Sequence, residues 1–303
     1  LNALIATLTT AGHAPLVVAQ RLRKGSCGSP RGAKRLVGDA VKQARRLLGV
    51  KAPVLVRMDS AYYGRDAVHA AITGRAAVSV TVRLDPAVKA AIASIEQGAW
   101  TPIRYPNAIF DETTGTWVSN AEVAEVPYTA FTSRKKADQV TGRLVVRRTP
   151  DVHADSKQAV GQGTLFDLWR FHAFFTTVPH DVLDTVAADA THRGHAIIEQ
   201  VHADLKASAL AHLPSGRFTA NSAWLVLAVI AFNLTRAAAA LTAAPELVRA
   251  TTATVRRKLI HVPARVASSA RRITLHLPQH WPWQQPWTHL FDRVADPPAT
   301  AST

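Results

Sequence analysis

The segment TVAADATHRGHAIIEQVHADLKAS, residues 185–208, constrains the chain more than any other, because helical phase alone sorts its side chains by chemistry. His195, Glu199 and Lys206 follow His192 by three, seven and fourteen residues. At about 100° per residue, all four fall within about 60° of one another. The opposite side supplies Ile198, Val201 and Leu205, an apolar surface that packs inward. One continuous helix is therefore expected to hold two imidazoles, a carboxylate and an ammonium group on its outer face. The same charges also suit a merely solvated helix. The rest of the chain has to decide between the two.

A chain of 303 residues that is 48% hydrophobic can bury a large core, in one large domain or two of ordinary size. Its formal charge of +15 is extreme for such a composition and points to a polyanionic partner, with nucleic acid first. The charge is uneven. Residues 1–60 hold eleven Lys or Arg against two Asp, residues 247–303 hold eight against two, and the middle balances at seventeen of each sign. Basic ends around a neutral body resemble a DNA-binding footprint. Cys27 is the single cysteine, which excludes an intrachain disulfide and a cysteine-based zinc site. The longest apolar run, Ala223–Phe232, is too short to span a bilayer before Asn233 and Arg236 interrupt it. A soluble, cytoplasmic protein without a membrane partner is expected.

Residues 3–9 and 15–23 read as two strands, followed by a Gly/Ser/Pro loop beside Arg21, Arg23 and Lys24. That loop suits a phosphate backbone and equally an ordinary turn. An amphipathic helix over 32–49 precedes a short apolar strand, 53–58, which ends in Asp59. A carboxylate at the carboxyl end of a buried strand stands where open α/β sheets place their ligand sites. A helix over 65–74 and a strand over 77–83 follow. From 84 to 179 a short helix, 86–97, leads into strand-like stretches at 100–106, 117–126, 143–148 and 165–177, a β-rich insertion. Beyond the helix of the opening paragraph comes an apolar helix over 222–241, expected to be buried all round. A basic helix over 247–260, a basic strand or helix over 264–277 and a Pro/Trp tail, HWPWQQPW, close the chain. The tail suits packing onto the domain surface better than base stacking.

This order of elements resembles the catalytic domain of DDE-type transposases from bacterial insertion sequences, which have a ribonuclease H-like fold. One large group of them carries Y-x2-R-x3-E-x6-K on the helix that bears the catalytic Glu. The spacing here is His192-x2-His195-x3-Glu199-x6-Lys206, and RMDSAYYG is similar to that group's second-aspartate segment. The resemblance spans residues 1 to 241. It implies an α/β fold, a mixed sheet flanked by helices, with the β-rich insertion before the Glu-bearing helix. The expected divisions are 1–83 and 180–245 as two parts of the catalytic domain, 84–179 as the insertion and 246–303 as a basic extension.

The resemblance implies metal-dependent DNA strand cleavage and strand transfer, with two Mg²⁺ or Mn²⁺ ions. Such phosphoryl transfer needs converging carboxylates, because Mg²⁺ takes oxygen ligands. Asp59 and Glu199 would be catalytic metal ligands. His195 and Lys206 would hold phosphate, and His192 would contact a base or sugar. The two histidines replace the signature Tyr and Arg, and Arg193 would supply the missing guanidinium. Arg21, Arg23 and Lys24 complete the expected DNA contacts. The partners implied are double-stranded DNA, as transposon ends and target, and a second copy in an active homodimer. A bacterial, nucleoid-associated location follows from the same resemblance. The family's first Asp lies on a strand before residues 3–9, so this chain is expected to be an N-terminally truncated and inactive fragment.

Two other readings compete. His195, Glu199 and His202 on one helix suggest a metal-dependent hydrolase, but a di-iron bundle needs a second Glu-x-x-His and this chain has only one. A non-catalytic DNA-binding relic would keep the basic ends and lose the chemistry, and it stays open.

Overall fold

The computed structural model describes residues 1–28, 30–104, 110–111, 116–117, 121–150, 169–194 and 197–295. The chain divides into two compact units, one made of Leu1–Ser26 with Ile197–Thr303 and the other of Cys27–Ala196. Strands β1 (Asn2–Leu8) and β2 (Leu16–Arg23) pair antiparallel in the first unit. Helices α1 (Ala33–Leu48), α2 (Arg65–Thr73) and α3 (Pro86–Ala93) belong to the second, with β3 (Leu55–Met58), β4 (Ala77–Thr81) and β5 (Thr101–Ile103). The short pair β6 (Phe110–Asp111) and β7 (Thr116–Trp117) precedes β8 (Ala121–Ala130), β9 (Val140–Pro150) and β10 (Trp169–Thr176).

Six strands of the second unit form one mixed sheet in the order β3-β4-β10-β9-β8-β5, with β3 and β4 parallel and every other pair antiparallel. The β-rich stretch therefore extends the sheet begun by β3 and β4. Alternation along the strands assigns the two faces. Val78 and Val80 of β4, Leu144 and Val146 of β9, and Ala173 and Phe175 of β10 share a core with Val41, Val68, Val88 and Ile92 of α1–α3. The opposite face presents Val145 and Phe174, covered by Ala188 of α4 (Thr185–Arg193). At Gly142 the strands approach so closely that a Cβ would overlap the Thr176 carbonyl and the Phe175 ring. Arg148 is fully buried yet satisfied, because Nε donates to Glu122 at 2.5 Å and the Trp100 and Trp169 rings flank its guanidinium at 4.1 and 4.4 Å.

The first unit is assembled on α5 (Ile197–Lys206) and α6 (Phe218–Leu241). Val201 and Leu205 of α5 pack with Val17 of β2 and with Leu225, Val229 and Phe232 of α6. Asn233 fixes α6 on β2: the Val17 N–H donates to its Oδ1 at 2.9 Å and its Nδ2 donates to the Val17 carbonyl at 2.8 Å. Short helices α7 (Pro245–Val248) and α8 (Thr252–Val255) and a π-helical turn, Arg256–Ile260, lead to the hairpin β11 (Arg265–Ser269) and β12 (Arg272–His276). Helix α9 (Gln284–Ala295) closes the described chain, and Trp283 and Trp287 pack on Leu247, Val255 and Leu259.

Three expectations are corrected. The segment 185–208 is two helices: α4 ends at Arg193 with Gly194 as its C-cap, and α5 begins at Ile197. The four-residue register needs an unbroken helix; within α5 it is kept for Glu199 and Lys206. Helix α6 is not buried all round, since Leu227, Ile230 and Leu234 are exposed opposite the packed stripe. It is long and apolar enough to cross a membrane by length and composition, and 33% of its apolar window is buried. The basic helix expected over 247–260 is three short pieces.

A buried ion pair ties α5 to α6. Arg236 donates to the Asp204 carboxylate and to the Ala250 carbonyl, while the Thr252 N–H and hydroxyl also donate to Asp204, at 3.0 and 3.1 Å. Removing one partner leaves an uncompensated buried charge, so Asp204→Ala is expected to cost about 3–5 kcal/mol in urea unfolding. Asp204→Leu combined with Arg236→Met should recover most of that loss.

Candidate active site

Helix α5 presents its chemistry outward because its other side is committed to packing. Val201, Asp204 and Leu205 are buried, and Glu199 and Lys206 are exposed. Seven residues apart, they lie on one face and about 10 Å apart along the axis. His202 is half-buried, and its pKa is lowered by that burial and then by the neighbouring Lys206 cation. It is therefore neutral at pH 7. His195 lies outside the described residues.

Asp59 belongs to the other unit, immediately after β3, and heads a 3-10 turn, Ser60–Tyr62. Its carbonyl accepts from the Tyr62 N–H at 2.9 Å, whereas its carboxylate caps nothing. Tyr62 and Tyr63 pack against the core, and Tyr63 stacks on Phe131 with ring centroids 5.3 Å apart. That aromatic packing fixes the turn and leaves the Asp59 side chain exposed. Among the described residues, no hydrogen bond or ion pair engages the carboxylate of Asp59 or Glu199. Both are oxygen donors of the kind a hard divalent cation takes. Among the described residues no group of three or more His, Cys, Asp or Glu side chains could hold a metal; the His195, Glu199 and His202 set includes a residue outside that description.

Two residues expected to contact DNA are buried. The His192 ring is enclosed: Nδ1 lies 2.7 Å from the Ser79 hydroxyl, Nε2 3.0 Å from the Thr81 hydroxyl, and Phe174 stacks on it at 4.1 Å. A ring held on three sides inside the unit has no edge for a base. Arg23 is buried at the end of β2, at a position in phase with buried Val17 and Ala19. Arg21 is half-buried and Lys24 exposed. Arg193 donates to Asp189 at 2.8 Å, one turn back on α4, and Arg147 donates to the same carboxylate at 3.2 Å.

The buried Asp204–Arg236 pair was not singled out from the sequence. Its signal was a carboxylate on the apolar side of α5 and a single cation within an apolar helix, since such charges persist only when paired. The segment expected as a basic strand or helix over 264–277 is an exposed hairpin, because its short strands match helical and extended patterns equally.

A family model described as transposase DDE domain group 1 matches residues 10–299. A search of curated proteins found no match.

His172 on β10 supplies a pH test. Burial lowers its pKa below the ordinary 6.5, the Arg147 cation lowers it further, and Asp189 partly opposes both. The folded chain thus binds this proton more weakly than the unfolded chain. Its contribution is intact above the ordinary histidine pKa and is lost as pH falls through the folded value. Stability of the 27–196 unit should fall below about pH 6.5, by at most about 1.4 kcal/mol per pH unit for this one proton. Denaturation midpoints measured across pH 5–7.5 should flatten in His172→Phe.

Proposed function

The chain belongs to the transposase DDE domain family, and from that membership we propose that it is the catalytic part of a DNA transposase that cuts and rejoins the strands at the ends of an insertion sequence. The match over residues 10–299 is the observation that carries the reading. DDE transposase domains generally use divalent metal ions, and their substrates are DNA.

Asp59 and Glu199 serve as metal ligands on this reading. Both occupy the positions that the motifs assign, both are exposed, and neither carboxylate is engaged elsewhere among the described residues. Divalent ions bound there supply activation of the attacking water or 3′ hydroxyl and charge neutralisation at the leaving oxygen. Lys206 holds a phosphate as a point charge, on the same face of α5 as Glu199. His195 donates a hydrogen bond to a neighbouring phosphate. Lys24 and Arg21 extend the contact along the backbone, and Arg193 stays with Asp189. The active form is a homodimer on duplex DNA, in the cytoplasm of a bacterium and at its nucleoid.

The full-length protein should nick or join plasmid DNA bearing the insertion-sequence ends when Mg²⁺ or Mn²⁺ is added. Asp59→Asn and Glu199→Gln should each lower that cleavage by more than about 100-fold, beyond the loss typical of outer-shell changes at metal sites, with DNA binding unchanged. Cleavage that survives both substitutions would move the active site elsewhere. DNA binding without cleavage would favour the non-catalytic relic.

A further inference from the structure

The hairpin β11–β12 stands apart in composition and in exposure. Across residues 247–291 there are seven Lys or Arg and four His, with no Asp or Glu, so nothing within the segment neutralises its charge. The hairpin lies between two anchored points: Leu259 is buried before it, and after it Trp283 packs on that same cluster beneath Lys258, whose Nζ sits 3.7 Å from the ring centroid. Between those anchors nearly every residue of both strands is exposed.

Register divides the ribbon into two faces of different chemistry. The pairs Arg265↔His276, Ala267↔Thr274 and Ser269↔Arg272 share one face, and Val266↔Leu275 and Ser268↔Ile273 share the other. The first face is basic at its base and at its tip and small in the middle. Arg265 and Arg272 are separated by four residue steps along the ribbon, about 13 Å. That span is close to the roughly 12 Å width of the B-DNA major groove, which admits a two-stranded β-ribbon. The turn adds a third cation. Ala270 and Arg271 both have positive φ, 45° and 68°, in a two-residue connection where Asn or Gly would be less strained. An Arg kept at such a position puts a guanidinium at the tip. Among the described residues no ion pair or hydrogen bond engages Arg265, Arg271 or Arg272.

We propose that the polar face of the Arg265–His276 ribbon is a DNA-binding element that enters the major groove of duplex DNA, with Arg265 and Arg272 on phosphates flanking the groove and Ala267, Thr274 and Ser269 approaching the base edges. Small side chains between two cations let the backbone come close without a clash. Charge complementarity selects this partner, because the face carries cations alone. The proposal rests on the DNA transposase reading and adds a site outside its carboxylates.

The test is fluorescence anisotropy of a labelled duplex with the full chain, across 50–300 mM salt. Arg265→Ala with Arg272→Ala should weaken binding by about tenfold per arginine at 0.1 M salt and reduce the slope of log K against log salt by about 1.8. Arg265→Lys with Arg272→Lys keeps the charge and should retain most of the affinity. Circular dichroism of each variant excludes unfolding as the cause. Unchanged affinity and slope in the alanine variant would overturn the ribbon assignment and leave the transposase reading standing. A wild-type chain that binds no DNA would overturn both. A change in self-association without a change in DNA affinity would make the ribbon a contact between copies and overturn the proposal.

Discussion

The pair formed by Asp204 and Arg236 is the constraint on which the first unit depends. Desolvation lowers the Arg236 pKa, and the Asp204 charge opposes that shift. The guanidinium therefore stays in the interior only because its counter-ion is there. The Ala250 carbonyl accepts from Arg236 and the Thr252 groups donate to Asp204, so α5, α6 and the start of α8 are tied at one point. Isolated apolar packing tolerates sliding by a turn, whereas a buried charge tolerates no unpaired position. Asp204 lies five residues beyond Glu199 on a ten-residue helix, so fixing Asp204 fixes the outward direction of Glu199 and Lys206.

In the second unit the same logic works through strand alternation. Strand β4 lies between β3 and β10, and its two faces differ: Val78 and Val80 face the α1–α3 layer, while Ser79 and Thr81 meet the His192 ring. A polar pair on a buried face requires a polar cover, and α4 supplies it with His192, which also stacks on Phe174. Parallel pairing of β3 with β4 sets the level at which β3 ends, and hence the level of Asp59.

Much of this was legible in the sequence. The strand running into Asp59, the strand over 77–83 and the packing of Val201 and Leu205 follow from short-range alternation and helical phase. The break after Arg193 was not, because Gly194 as a C-cap interrupts a run whose periodicity continues through it. His192, on α4, is held in the core of its own unit by Ser79, Thr81 and Phe174. Helix α6 misled in the opposite sense: its composition is mostly apolar, yet only the stripe from Asn221 to Ala239 is covered. Composition reports what a helix can bury, and tertiary packing decides which side it does bury. The basic ends were legible as charge, but not as a ribbon, since register appears only once the two strands pair.

The central claim is that Asp59 and Glu199 are metal ligands. Electron paramagnetic resonance of Mn²⁺, titrated into the DNA-bound protein, tests it without relying on catalysis. Asp59→Asn and Glu199→Gln should each reduce the bound Mn²⁺ population. An undiminished population in either single variant would contradict the account.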